Sequence, residues 1–321
     1  MTLTVGSLYA GVGGICLGFK QAGFSIEWAN EFDKFACITY RLNFDHELIE
    51  EDVLDLDIKK LKPVDVLCAG FPCQPFSLAG YRKGFGDHRG NHFFKVMDFV
   101  DIMRPKAIFL ENVKNLLNHD NGNTLRVIEN EITRRGYSFV YKLLNTKEYG
   151  NIPHNRERIF MVAFDKDVVS AYNSFEFPKP VALSRSISDM LVDEKVEEKF
   201  YYKNKLKFYK DLVENITERN VIYQWRRKYV RKNKKGVCPT LTANMGGGGH
   251  NVPLILTEHG IRKLTPQECF GFQGFPVDSG EYKLPRLAVY HLYKQAGNSV
   301  SVPVVKGIAM NIKSVLQNSK M

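Results

Sequence analysis

Short apolar stretches and longer segments with helical periodicity alternate along the first half of the chain. Strands are predicted at residues 2–8, 26–30, 64–69, 106–110, 137–144 and 158–164. Between them, apolar residues recur three or four positions apart, as in Phe35, Ile38 and Leu42, which we expect to face inward from one helix. This alternation is typical of an α/β domain whose sheet is mostly parallel.

The alternation ends near Pro178. A basic stretch without clear periodicity follows and leads to four consecutive glycines at residues 246–249. Residues 265–268 have the composition of a helix start, and Pro303 is placed to open a last helix. We therefore predict a main domain, an inserted basic domain and a C-terminal return to the main domain. Their predicted bounds are residues 1–182, 183–262 and 263–321.

The formal net charge of the 321-residue chain is +10, and residues 199–235 of the inserted segment carry an excess of the same size. Between Lys199 and Lys235 there are thirteen Lys and Arg residues against three acidic ones, with aromatic residues such as Tyr223 and Trp225 interleaved. Such clustering is typical of a surface that meets a phosphate backbone, although a solvated lysine-rich face is the simpler alternative. Because an excess of this size lies in one segment, we expect a nucleic acid as the partner.

Several classes of protein are disfavoured. The N-terminus shows no basic region followed by an apolar run, and no apolar run approaches membrane-spanning length. The six cysteines are scattered without a C-x-x-C pair, so neither a disulfide framework nor a zinc site is indicated. We therefore expect a cytoplasmic protein that needs no metal ion and contacts no membrane.

The most distinctive stretch is Gly70–Ser77, which reads Gly-Phe-Pro-Cys-Gln-Pro-Phe-Ser. It follows a predicted strand, and its two prolines restrict the backbone on either side of Cys73. Burial as a structural thiol is the commoner fate of a free cysteine. At the carboxyl end of a strand, where open α/β sheets place their active sites, the same thiol is a candidate nucleophile.

Two other strand ends carry groups that suit such a site. The first strand runs into a glycine-rich turn with Gly11, Gly13 and Gly14, and Glu31 follows Gly11 by 20 residues. A turn and an acid at this spacing are typical of a pocket for a nucleotide-like ligand, in which the acid meets ribose hydroxyls. Glu111 closes a further strand, so a nucleophile, a carboxyl group and a nucleotide pocket are expected at one edge of the sheet.

The order of these features resembles the cytosine carbon-5 DNA methyltransferases of bacterial restriction-modification systems over almost the whole chain. The segments that carry the resemblance are Leu8–Gly14, Asn30–Asp33, Asp52-Val53, Pro72-Cys73-Gln74, Glu111-Asn112-Val113, Arg156-Glu157-Arg158, Leu264–Glu268, Gly274-Phe275-Pro276 and Gly297–Val300. Each motif alone is modest, but the full set in the family's order is highly specific. The resemblance implies a Rossmann-like, S-adenosyl-L-methionine-dependent methyltransferase domain with a small inserted target-recognition domain.

The resemblance also implies roles for individual residues. Cys73 would attack carbon 6 of a cytosine that has left the duplex stack, Glu111 and Arg158 would hold the base, and Arg156 would support this group. The residues implied in binding S-adenosyl-L-methionine, and its product S-adenosyl-L-homocysteine, are Tyr9, Gly11, Gly13, Gly14, Glu31, Phe32, Asp52, Val53, Pro72 and Asn298. The residues implied in contact with DNA are Ser77, Arg226, Arg227, Arg231, Thr240, Thr242, Gly247 and Gly248.

The expected partner is double-stranded DNA, and the expected state is a monomer of bacterial or phage origin. A functional pairing with a restriction endonuclease is implied, by which methylation protects host DNA. Three positions depart from the family's usual pattern: Tyr9 replaces Phe, Phe32 replaces Trp, and His154 replaces Gln. The aromatic changes keep a ring face for the cofactor, whereas the role of His154 stays open.

Three alternatives remain open from the sequence. An RNA cytosine methyltransferase shares the same motifs, although the extended basic region with its glycine-rich loop favours duplex DNA. A non-catalytic DNA-binding relative should have lost Cys73, Glu111 or Asn298, and all three are present. A nucleotide-linked oxidoreductase with a redox cysteine leaves the later motifs unexplained.

Overall fold

A seven-stranded sheet forms the centre of the fold. The computed structural model describes residues 2–72, 92–233, 236–247 and 252–319. The described strands are β1 Thr4–Leu8, β2 Ser25–Asn30, β3 Glu47–Ile49, β4 Val66–Ala69, β5 Ala107–Val113, β6 Val140–Asn145, β7 His154–Asn155, β8 Glu157–Phe164, β9 Tyr223–Trp225, β10 Val230–Lys232, β11 Cys238–Pro239, β12 Leu254–Thr257 and β13 Gly260–Lys263. The described α-helices are α1 Gly14–Gln21, α2 Lys34–Arg41, α3 His92–Met103, α4 Asn123–Thr133, α5 Thr146–Tyr149, α6 Tyr209–Asn215, α7 Pro266–Gly271, α8 Val289–Asn298 and α9 Val302–Asn318. Short 3₁₀ helices lie at Ile58–Lys60, Lys114–Leu117, His119–Gly122, Tyr172–Ser174, Ser188–Met190 and Glu198–Phe200.

The central sheet has the strand order β3-β2-β1-β4-β5-β8-β6. Strands β1 to β5 pair in parallel, which confirms the predicted mostly parallel α/β fold. Strand β8 is the exception, because it runs antiparallel to both β5 and β6. Only residues 146–156 join β6 to β8, and this connection is too short for the crossover that a parallel pair needs.

Helix α2 begins at the predicted position, but it buries a different face from the predicted one. The side chain of Asp33 accepts hydrogen bonds from the backbone N–H groups of Phe35 and Ala36, so Asp33 caps the helix. The prediction that Ile38 and Leu42 face inward is wrong, because both side chains are exposed. The buried face instead carries Tyr40, whose hydroxyl donates to the Cys16 thiol. Burial of this aromatic side chain leaves Ile38 and Leu42 on the solvent side of the helix.

The C-terminal helices return to the central sheet. Thr265 and Glu268 form a capping box at the start of α7, which confirms the predicted helix start. Helix α9 begins next to Pro303 and packs against α1. The segment Val289–Asn318 is long and apolar enough to cross a membrane, but 61% of its most apolar window is buried inside the protein. The break at Ser299–Ser301 divides it into α8 and α9, so we assign it to the protein core.

The inserted segment builds a second sheet with the order β10-β9-β12-β13. A small apolar cluster lies against it and includes Leu212, Tyr223 and Trp225. Other residues of the segment, such as Leu241, belong to the same core as the central sheet. A short parallel pairing of β11 with β7 also ties the segment to the main domain. The domain bounds at residues 182 and 262 stay predictions.

Candidate active site

The carboxyl ends of the parallel strands surround a cavity of about 460 Å³. Its wall also includes α8 and the residues after it, so the first and last parts of the chain build it together. The predicted cofactor residues that line it are Tyr9, Gly11, Gly14, Glu31, Phe32, Asp52, Val53, Pro72 and Asn298. Gly13 lies behind this wall, where a Cβ would come within 2.2 Å of the Phe44 ring.

Glu31 connects the glycine-rich turn to the end of β2. Its carboxylate accepts hydrogen bonds from the backbone N–H groups of Gly11 at 2.8 Å, Phe32 at 2.9 Å and Asp33 at 2.8 Å. Burial raises the pKa of Glu31, and these three hydrogen bonds only partly oppose the shift. Gly11 has a φ of +58°, which favours glycine at this turn. The carboxylate is therefore held in place before any ligand binds.

Tyr9 and His92 form a polar contact on another part of the cavity wall. The Tyr9 hydroxyl lies 3.1 Å from His92 Nδ1 and 3.2 Å from the His92 carbonyl oxygen. Burial, with a smaller contribution from Asp52, raises the pKa of Tyr9 above its usual range, so the hydroxyl keeps its proton. Phe32 is 68% exposed and presents a free ring face at the cavity. His92 could not be assigned from the sequence, because no motif includes it.

Helix α8 supplies further groups that sequence reasoning missed. Lys294 Nζ lies 2.7 Å from Asp33 Oδ2, and Gln295 bonds to Thr39 and to the Phe35 carbonyl. These contacts join two segments that lie about 260 residues apart in the chain. The Ser299 hydroxyl also lines the cavity, is buried, and has no hydrogen-bond partner among the described residues. A ligand in the cavity could satisfy it.

Glu111, which lines the edge of the cavity, forms an ion pair with Arg158. Glu111 lies opposite Phe160 in the antiparallel pairing of β5 with β8, so Arg158 is its diagonal neighbour on the same face. Arg158 Nε lies 3.1 Å from Glu111 Oε1. Burial raises the pKa of Glu111, while Arg158 and Arg156 oppose the shift. The site therefore holds a carboxyl group that binds a proton more tightly than an exposed one.

Gly70, the first residue of the Gly70–Ser77 stretch, lies beside this pair. Strands β4 and β5 pair in parallel with Ala69 opposite Leu110, which brings Gly70 next to Glu111. A Cβ at Gly70 would lie 3.6 Å from Glu111 Oε2. Asn112 Nδ2 donates to the Phe71 carbonyl at 2.9 Å and anchors the loop two residues before Cys73.

Cys73 itself lies outside the described residues. The other five cysteines of the chain are all buried. Burial raises the pKa of each of these thiols, for example that of Cys37 to about 12. None of these five is therefore a ready nucleophile.

Arg156 is buried behind the cavity. Its guanidinium donates to the carbonyl oxygens of Leu241 at 3.0 Å, Gly297 at 3.3 Å and Ser299. Burial lowers its pKa well below the usual value. Arg156 therefore links the inserted segment to the loop between α8 and α9, which is a supporting position.

His154 is fully buried and bridges two segments. Its Nδ1 atom lies 2.8 Å from the Phe272 carbonyl oxygen, and the Leu241 N–H donates to its Nε2 at 3.3 Å. A carbonyl can only accept and an N–H can only donate, so these partners fit the neutral tautomer with the proton on Nδ1. Burial lowers its pKa to about 3, in agreement. His154 and Arg156 therefore both bond to the backbone of Leu241, two residues after β11.

The residues predicted to contact DNA divide into groups. Four of them line a second cleft of about 550 Å³: Arg226, Arg231, Thr240 and Thr242. Arg227 is exposed in the β9–β10 hairpin with a φ of 63°, and Gly247 packs beside Tyr290. Ser77 and Gly248 lie outside the described residues.

Within the described ranges, no group of three or more His, Cys, Asp or Glu side chains could hold a metal ion.

A family model described as C-5 cytosine-specific DNA methylase matches residues 3–314. The chain belongs to this family. It is thus an enzyme of DNA cytosine methylation, which confirms the resemblance seen in the sequence. Among relatives of this methylase, the type II methyltransferase M.Bsp6I of Bacillus sp. (strain RFL6) is 54% identical over 319 residues, covering 98% of this chain and 100% of the relative. The type II methyltransferase M.HhaI of Haemophilus parahaemolyticus is 39% identical, covering 96% of this chain and 94% of the relative.

Solved structures share the fold of this methylase. The DNMT2 structure from Spodoptera frugiperda superposes with a TM-score of 0.73 at 20% identity and covers 98% of this chain and 100% of that one. A putative DNA modification methyltransferase from an E. coli prophage gives a TM-score of 0.68 at 22% identity, with 98% and 100% coverage. At this level of identity the likeness supports the fold alone, which is the predicted Rossmann-like methyltransferase architecture.

Proposed function

We propose that this methylase transfers the methyl group of S-adenosyl-L-methionine to carbon 5 of a cytosine flipped out of a short, specific duplex DNA sequence. The reaction proceeds through a covalent adduct with Cys73. The observation that carries the proposal is the Glu111–Arg158 pair, which lies beside the Gly70 loop entrance at the edge of a nucleotide-sized cavity. Such a cavity with a few convergent polar groups is typical of a cofactor site.

The cavity suits S-adenosyl-L-methionine by its donor set. The Glu31 carboxylate is held by three backbone N–H groups and is placed to accept from ribose hydroxyls. Tyr9 and Phe32 offer aromatic faces to the adenine, with Asp52 near its amino group. Asn298 and the unpartnered Ser299 hydroxyl are available to the methionine end. The bound cofactor supplies an electrophilic methyl group.

The protein groups make the cytosine reactive. Cytosine is a poor nucleophile at carbon 5, and addition of the Cys73 thiolate to carbon 6 moves an electron pair towards carbon 5. Glu111 can share its proton with ring nitrogen 3 and so offset the negative charge that the addition builds. Arg158 is placed to bind the exocyclic oxygen of the base. Carbon 5 takes the methyl group, and S-adenosyl-L-homocysteine is the leaving group. Water then accepts the proton on carbon 5, the ring double bond forms again, and the bond between carbon 6 and the Cys73 sulfur breaks.

The DNA requirement follows from the same chemistry. Enzymes that act on a base cannot reach their target atom inside the duplex stack, so the cytosine must leave the helix. The basic inserted segment is assigned to the phosphate backbone and to base reading. The relatives M.Bsp6I and M.HhaI are named type II methyltransferases, which supports a role in restriction-modification beside a separate endonuclease.

Duplex DNA that carries 5-fluorocytosine at the target position tests the covalent step. Fluorine replaces the proton that must leave carbon 5, so the adduct should persist and survive denaturing electrophoresis. We expect a stable complex for the wild type with S-adenosyl-L-methionine and none for Cys73→Ser. Cys37→Ser, which keeps a donor to the Glu31 carbonyl, serves as the cysteine control and should still form the complex. Normal methylation of cytosine without any trapped complex would contradict the Cys73 adduct.

A further inference from the structure

The second cleft carries carboxamide side chains that were not part of the predicted DNA-reading set. Gln224, Asn155 and Asn244 line it together with Arg226 and Arg231. The cleft contains no Asp or Glu side chain among the described residues that line it. It therefore presents neutral amides and positive charge to whatever enters.

The orientation of Gln224 is set by its neighbour. Arg226 Nη2 lies 3.2 Å from Gln224 Oε1, and a guanidinium can only donate, so the atom that faces it must be the amide oxygen. Among the described residues, the amide NH₂ of Gln224 has no hydrogen-bond partner. Together the two side chains offer several N–H donors and one positive charge.

Two other amides of the cleft are arranged in the same way. Asn145 Nδ2 donates to Asn155 Oδ1 at 2.9 Å, and the Thr242 hydroxyl donates to Asn244 Oδ1 at 2.6 Å. Each amide oxygen thus has a partner within the protein, and neither NH₂ group has one in the part of the chain that the structure describes. Asn233, which also lines the cleft, is turned the other way because its Nδ2 donates to the Val237 carbonyl.

We propose that the Gln224–Arg226 pair, supported by Asn155 and Asn244, reads the acceptor edge of a guanine in the recognition sequence. This inference rests on the proposed function and specifies its substrate. In the major groove guanine presents two acceptors, N7 and O6, whereas adenine presents an acceptor beside an amino donor. A free glutamine pairs well with adenine because its oxygen accepts from that amino group. Arg226 already uses the Gln224 oxygen and adds a positive charge, so guanine is the better match.

Single-atom changes in the DNA test this assignment once the methylated sequence has been mapped. Duplexes are made in which 7-deazaguanine replaces one guanine at a time, which removes only the N7 acceptor. Single-turnover methylation is measured with the wild type and with Gln224→Leu, a half-exposed position. The control is Gln317→Leu, an exposed amide on α9.

At one guanine position the wild type and Gln317→Leu should lose roughly tenfold in rate on the 7-deaza substrate, within the usual range for a base contact. Gln224→Leu should lose no more than about twofold there, because the contact is already absent. Arg226→Met removes the donor that holds the glutamine oxygen, so it should reduce the preference of the wild type for guanine over adenine at that position.

The opposite results overturn the inference. If Gln224→Leu is as sensitive as the wild type at every 7-deazaguanine, or if the wild type is insensitive throughout, Gln224 does not read a guanine N7. An unchanged guanine preference in Arg226→Met would contradict the assigned pairing. Failure of the wild type to methylate any DNA is a separate result, which removes the proposed function instead.

Discussion

Arg158 Nε lies 3.1 Å from Glu111 Oε1, with both side chains largely removed from solvent. Glu111→Gln keeps the size of the side chain and an oxygen that can accept from Arg158, but it loses the titratable proton. We expect the single-turnover rate of methyl transfer to fall by roughly 100-fold or more, as for loss of a general acid. Binding of S-adenosyl-L-homocysteine, followed by calorimetry, should stay within about threefold of the wild type. Retained turnover would remove Glu111 from its role.

The same substitution predicts a pH effect on stability. Burial raises the pKa of Glu111 above its ordinary value of 4.5, so the folded protein binds this proton more tightly than the unfolded chain. The stabilisation is complete below that ordinary value and is lost as the pH rises through the raised pKa. The melting temperature of Glu111→Gln, relative to that of the wild type, should therefore be highest at about pH 8. This difference should become smaller towards about pH 4. A difference that does not change with pH would contradict this linkage.

Removal of the Arg156 guanidinium should mainly lower the stability of the fold. Arg156→Met leaves the carbonyl oxygens of Leu241, Gly297 and Ser299 without their donor in a buried site. We expect the free energy of unfolding in urea to fall by about 3 kcal/mol or more. Arg41→Met, which breaks only an exposed ion pair with Glu50, is the matched control and should cost less than about 1 kcal/mol. Equal effects of the two variants would show that Arg156 does not hold this junction.

His154 should make the wild type sensitive to acid. Its pKa falls from the ordinary 6.5 to about 3 because it is buried, so the unfolded chain binds a proton that the folded protein excludes. Stability contributed by the neutral imidazole is present above pH 6.5 and is lost as the pH falls towards 3. His154→Gln can still donate to Phe272 and accept from Leu241 but does not titrate. Its melting temperature should fall less than that of the wild type between about pH 7 and pH 4.

We predict that no residue larger than glycine is tolerated at position 297. A Cβ there would lie 2.2 Å from the carbonyl carbon and oxygen of Thr242, so the inserted segment would have to move away from the cavity wall. Gly297→Ala should lower both the melting temperature and the affinity for S-adenosyl-L-homocysteine. Gly307→Ala, in α9 with its nearest neighbour at 3.4 Å, should leave both close to the wild type or raise the melting temperature slightly. Equal tolerance at both positions would contradict the close approach.

The sequence predicts the mostly parallel sheet well because its strands depend on local apolar patterns. Gly11 and Glu31 stand at strand ends, and the strand order brings them together. The reversed direction of β8 was not predicted, since the apolar pattern of a strand carries no direction. The wrong face of α2 has a similar cause. Ile38 and Leu42 fit helical spacing, but the tertiary contacts of Tyr40 decide which side is buried.

Contacts between distant segments could not be predicted from one sequence. Lys294 meets Asp33, and Arg156 meets Leu241, only because folding brings these elements together. His154 accepts at one end and donates at the other, which a glutamine at this position could also do, but only the folded structure shows the two partners. The amide orientations in the second cleft likewise appear only in three dimensions.

Mapping of methylated bases tests the central claim most directly. The purified protein is incubated with labelled S-adenosyl-L-methionine and either duplex plasmid DNA or transfer RNA, and the products are sequenced for 5-methylcytosine. We predict label in DNA alone, at carbon 5 of cytosine within one short sequence, and none with Cys73→Ser. Label in RNA without label in DNA, or methylation of DNA at any other base or atom, would contradict the account.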